Sequence, residues 1–204
     1  MIDRLAKAIS FIFHPIAIPT YSVLVLYSLR SFISTRLSPE LKIWVIGTVF
    51  LTTIVIPALF IYLFLAKGII KSGYMESRYE RTIPYFITSI FFFLCYYLLQ
   101  SLPIPQVYII FMLGASTIVL LVFIINFWYK ISIHMSAMGG MLGAFIAVSF
   151  LFMTNTLPVL IAVLFCAGII GSSRLQLKAH HPTQIYVGFG LGFLIMSSMF
   201  FLLV

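Results

Sequence analysis

The sequence predicts an all-α fold: a polytopic integral membrane helical bundle of six to seven transmembrane helices, in one domain spanning 1–204. Three observations lead there. Apolar residues make up 63% of the chain, against roughly 45–50% in ordinary soluble domains. The mean hydropathy is +1.19. Charged residues are only 8% of the total, and they gather in a few short stretches between long apolar runs.

A membrane-spanning helix needs about 20 mostly apolar residues. Seven runs approach or reach that length: 10–34, 42–67, 84–101, 105–128, 135–154, 157–172 and 185–204. Lipid offers no hydrogen-bond partners, so each run must satisfy its own backbone and is read as a helix. The first run is interrupted at His14-Pro15 and at Pro19, and the sixth is short. No small-residue cleavage site follows the first run, which reads as a retained span. Cys95 and Cys166 lie inside apolar runs and read as buried thiols.

"QSLPIPQ" (100–106) and "TNTLP" (154–158) are short, Pro- and Asn-bearing connections of the kind that join antiparallel helices. The other connections are more polar. They are "KGIIKSGYMESRYERTIP" (67–84), "WYKISIHMS" (128–136) and "GSSRLQLKAHHPTQIYVG" (171–188). Two spans separate the first from the second, and two separate the second from the third. All three therefore fall on the same side of the bundle.

The chain carries 12 Lys and Arg against 4 Asp and Glu, a net charge of +8. In a chain this apolar the excess reads as loop charge, headgroup contact or an anionic ligand, not as nucleic-acid binding. The gathered loops contribute Lys71, Arg78 and Arg81; then Ser132 and His134; then Ser173, Arg174, His180 and Gln184. His180 and Gln184 are four apart, so on a helix the amide reaches the imidazole. Such a set has a chemical logic. Cations bind a phosphate and neutralise charge as it develops. One His attacks phosphorus, and another protonates the leaving oxygen. No Asp/Glu cluster suited to a metal is present, so no metal and no other cofactor is expected.

These residues resemble the type 2 phosphatidic acid phosphatase family, the membrane relatives of vanadium haloperoxidases. That family shows Lys, six residues, Arg-Pro; then Pro-Ser-Gly-His; then Ser-Arg, five residues, His, three residues, Asp. This chain has Lys71, six residues, Arg78; Ser132-Ile133-His134; and Ser173-Arg174, five residues, His180, three residues, Gln184. The resemblance runs from about residue 67 to 188 and implies a phosphatidic acid phosphatase/haloperoxidase-like core. It further implies that Lys71, Arg78 and Arg174 hold the phosphate with help from Ser132. His134 is implied to be the acid, and His180 the nucleophile that becomes a phosphohistidine. The expected substrate is a phosphorylated lipid, met among membrane lipids, in a bacterial inner membrane.

The chain departs from the pattern at three places. Tyr79 follows Arg78 where Pro is expected, and Arg81-Thr82-Ile83-Pro84 offers Arg81 as the alternative equivalent. Ile131 and Ile133 replace the Pro and Gly of the second motif. Gln184 replaces the Asp that orients the nucleophile, leaving Glu76 or Glu80 as candidate substitute carboxylates. These departures support a second expectation, a catalytically impaired relative that binds or transports a phosphorylated lipid. His14 and His181 read as interfacial residues, Lys67, Lys130 and Lys178 as interfacial anchors, and Gly139, Gly140, Gly143, Gly188, Gly190 and Gly192 as helix-packing sites. Nine Lys and Arg on the motif side against three opposite favour a cytoplasmic motif side. Setting aside Lys71, Arg78, Arg81 and Arg174 leaves five against three, and the bacterial relatives place the site on the outer face.

Overall fold

The computed structural model describes residues 1–29, 35–70 and 78–204. Among them every regular element is helical. The order is α1 (Ile2–Ile12), α2 (Ile18–Ser28), α3 (Pro39–Ala66), α4 (Arg78–Gln100), α5 (Gln106–Ile125), α6 (Ile133–Phe152), α7 (Leu157–Gln176) and α8 (Pro182–Leu203). The last six are each long and apolar enough to cross a membrane. Their outer faces present large apolar side chains, among them Trp44, Phe93, Phe150, Phe165 and Leu202.

The first apolar run does not form one long helix. Pro15 and Pro19 lack backbone N–H groups, so the helix stops at Ile12 and restarts at Ile18. α1 lies against α7 and is tied there by Gln176 Nε2 donating to Asp3 Oδ1 at 3.1 Å. α2 descends into the bundle, where Thr20 Oγ1 meets Thr53 Oγ1 at 3.5 Å and the Tyr27 ring packs 5.4 Å from that of Tyr108. Thr53 belongs to a π-helical turn, Leu51–Val55, inside α3. Pro57 follows it and cannot close the ordinary hydrogen bond, a common origin of such a turn.

α6 is the most buried of the long helices. It packs most closely on α8, through glycines on both sides. A methyl group on Gly139 would run into the Phe189 carbonyl oxygen, and one on Gly192 into that of Ser136. Gly143 and Gly188 make the same kind of close approach. Small residues thus let the two backbones touch. Gly140 instead faces Ile118 and Met196, while Gly190 has open space beside it.

The described parts of the three polar connections meet at one end, the mouth. Arg78 Nη1 donates to the Trp128 carbonyl at 2.7 Å, and Asn126 Nδ2 donates to the Arg78 carbonyl at 2.9 Å. Ser132 N donates to the Gln184 carbonyl at 3.2 Å, and Tyr129 Oη donates to Thr183 Oγ1 at the same distance. The one-sided placement read from counting spans is therefore present in the fold, knitted by hydrogen bonds between the connections.

Candidate functional site

A chamber of about 820 Å³ has residues of the mouth in its wall. Its polar wall carries Arg81, Arg174, His134, His180 and His14. The first four are nearly sealed from solvent, at 4%, 9%, 9% and 6% exposure. Two guanidiniums share this wall, and a buried donor left without an acceptor is costly. Arg174 Nε is buried with no hydrogen-bond partner.

Local structure explains why Arg174 and His180 share the chamber. Helix α7 ends with the Ala179 N–H bonding the Arg174 carbonyl at 3.1 Å and the Lys178 N–H bonding the Leu175 carbonyl at 2.9 Å. This is the Schellman arrangement, and it needs a left-handed residue after the cap. Lys178 takes that place with φ 51°, where Gly is usual. The chain reverses there, so His180 comes back beside the last turn of α7. Helix α8 then starts at Pro182, where the Gln184 N–H donates to the His181 carbonyl at 3.0 Å and Gln184 Oε1 accepts from the His181 N–H at 3.2 Å.

Gln184 does a second task. Its Oε1 also lies 3.0 Å from His180 Nδ1. That oxygen can only accept, so Nδ1 carries the proton and Nε2 keeps its lone pair. Burial pushes the His180 imidazole down from 6.5 to about 3, with Arg81 the next cause and Arg174 and Lys130 adding to it, against the pull of the Gln184 bond. His180 is therefore neutral at neutral pH, in the tautomer whose Nε2 can attack an electrophile.

His134, on the first turn of α6, has Nε2 at 3.2 Å from the Ser10 carbonyl oxygen of α1. A carbonyl only accepts, so Nε2 of His134 carries a proton. The His14 ring stands edge-on to it, with centroids 5.7 Å apart. His14 was missed as a site residue by reading it as interfacial. The signal that could have found it is an ionisable side chain between two helix-stopping prolines inside an apolar run.

Other expected site residues lie elsewhere. Arg78 points away from the chamber, bonding the Phe127 and Trp128 carbonyls. The structure brings Arg81, not Arg78, to the phosphate candidates. Ser132 is fully buried but does not line the chamber. Ser173 Oγ donates to the Ile169 carbonyl at 2.8 Å and also stays outside it. Glu80 does not line it, and Lys71 and Glu76 lie outside the described residues. Among the described residues, no three His, Cys, Asp or Glu side chains are grouped to hold a metal ion.

No protein-family model, no curated protein and no solved structure matches the chain.

Proposed function

We propose that this chain is a multi-pass protein of a cell membrane that removes a phosphate or diphosphate headgroup from a lipid. In this reading it is a divergent relative of the type 2 phosphatidic acid phosphatases. The observation that carries it is His180, neutral, with Nδ1 held by Gln184, at a chamber wall shared with Arg81 and Arg174.

The chemistry follows from those groups. Arg81 and Arg174 hold the phosphoryl oxygens and offset the charge that grows on them. His180 Nε2 attacks phosphorus as the phosphorus–oxygen bond to the lipid breaks. The leaving oxygen takes a proton from His134. The phosphorus is then bonded to His180 Nε2. Water attacks it and gives one proton back to His134 as the phosphorus–nitrogen bond breaks, and inorganic phosphate leaves. These steps call on no metal ion or other cofactor.

A second reading has its own support. Gln184 is neutral and cannot offset imidazolium charge, and the Nε2 proton of His134 is occupied by the Ser10 carbonyl. Both features suit a protein that binds or carries a phosphorylated lipid without cleaving it. Phosphate release from a panel of lipid phosphates, with EDTA present and His180→Asn beside the wild type, separates the two. Release by the wild type alone supports the phosphatase. Tight binding by both proteins without release supports the carrier. Neither binding nor release by the wild type sinks both.

A further inference from the structure

The chamber is not confined to the mouth. Along α4 it reaches from Arg81 to Phe92, eleven residues or about 16 Å at the helical rise. That is about half the thickness of a bilayer's hydrocarbon core. Its deep wall is built from Phe92, Phe111, Ala115, Ile118, Gly140 and Met196. The space of about 820 Å³ is partly open and apolar over most of its wall, which suits a hydrocarbon occupant. Water does not fill apolar cavities willingly.

We infer that the hydrocarbon chain of the ligand lies inside this chamber, among α4, α5, α6 and α8, while its phosphate meets Arg81 and Arg174. The ligand class is a long-chain alkyl or prenyl phosphate. Two features of the same chamber support this. The buried Arg174 Nε without a partner calls for an anionic head. The apolar depth calls for a hydrocarbon occupant, and one cavity contains both. A small soluble phosphate would leave the depth unfilled, and a neutral lipid would leave Arg174 Nε without an acceptor. Moving a chain from bilayer to protein exchanges one apolar medium for another, so the chamber contributes selection more than affinity. This rests on the phosphate-binding part of the reading above and not on turnover.

The test is photolabelling of the full-length protein in phosphatidylcholine nanodiscs. The probe is hexadecyl phosphate with a diazirine near the chain end, and the labelled residues are mapped by peptide mass spectrometry. Label on Phe92, Phe111, Ile118 or Met196 is expected, competed by unlabelled hexadecyl phosphate. It should fall at least tenfold in Arg174→Gln and with a hexadecanol probe that lacks the phosphate. Competition by a prenyl phosphate stronger or weaker than by the alkyl phosphate names the chain, and either result supports the inference. Label only on outward residues such as Phe93, Phe150 or Leu202 overturns it. Equal chamber label from the hexadecanol probe overturns the phosphate-headed class. Chamber labelling without phosphate release would remove the phosphatase reading and leave this inference standing.

Discussion

His180 Nδ1 and Gln184 Oε1 are 3.0 Å apart, and the same oxygen accepts the His181 N–H. One side chain thus fixes the tautomer of His180 and caps α8. A carboxylate would do both and also offset charge on a phosphorylated imidazolium. Replacing Asp by Asn behind the catalytic His of a serine protease costs roughly 10⁴ in rate, partly through the wrong tautomer. Here the tautomer is already right, so only the charge contribution is missing. On the phosphatase reading, Gln184→Glu should raise the turnover number at least tenfold in a phosphate-release assay. Gln184→Leu should lower it at least tenfold and destabilise the α8 start by about 1 kcal/mol.

Arg81 and Arg78 are one helical turn apart but serve different ends. Arg81 lines the chamber, while Arg78 holds the Phe127 and Trp128 carbonyls at the end of α5. Arg81→Gln should weaken lipid phosphate binding or turnover by about 10²-fold or more, as loss of one charge-bearing donor does. Arg78→Gln should leave the rate within a few-fold and cost about 1–2 kcal/mol of stability. Kinetics and thermal unfolding of the two purified variants compare them directly.

The depressed pKa of His180 gives a stability prediction with a defined sign. In the folded chain the imidazole is neutral down to about pH 3. In the unfolded chain it takes up a proton below pH 6.5. The unfolded state therefore binds more protons between those values, and stability falls as pH falls from 6.5 towards 3. The slope from this one group is at most about 1.4 kcal/mol per pH unit. Melting of the wild type in detergent should drop over that window, and His180→Asn should show a shallower drop. Added inorganic phosphate should reduce the loss, because an anion beside His180 favours its charged form.

The long helices and their shared mouth could be read from the sequence because long apolar runs leave few choices of structure. A run of twenty apolar residues must be helical, and counting spans fixes which loops meet. The broken first run could also be read, since Pro15 and Pro19 cannot sit mid-helix without consequence. What could not be read is depth. Nothing in the local pattern shows that α2 descends to Thr53, or that Ser10 and His14 come to His134. Those are contacts between distant segments. The choice of Arg81 over Arg78 turned on which face of α4 meets the chamber. Lys178 carries no glycine signal for the left-handed turn that it makes.

Two glycines on α8, two residues apart, make opposite predictions. Gly192 lies against the Ser136 carbonyl, whereas Gly190 has open space around it. Gly192→Ala should separate α6 from α8 and cost about 1–3 kcal/mol, the usual penalty of overpacking. Gly190→Ala should be neutral or stabilising by up to about 1 kcal/mol, since Ala suits a helix better than Gly. Thermal unfolding in one detergent measures both. Equal effects at the two positions would contradict the observed α6–α8 contact.

On the phosphatase reading, the leaving oxygen needs a proton donor. His134 Nε2 bears a proton but gives it to the Ser10 carbonyl at 3.2 Å. For His134 to serve as the acid, a substrate oxygen must replace that carbonyl, so α1 must shift when the lipid binds. An acid matters most when the leaving group is a poor one. His134→Gln should therefore slow hydrolysis of alkyl phosphates by about 10²–10⁴-fold. It should slow a nitrophenyl phosphate, whose leaving oxygen needs little help, far less. His14→Gln provides the comparison, since its ring touches His134 without bonding Ser10. If His14→Gln shows the leaving-group dependence and His134→Gln does not, the acid is His14. If both slow the two substrates equally, neither imidazole delivers the proton, and their part is to hold the N-terminal segment over the mouth.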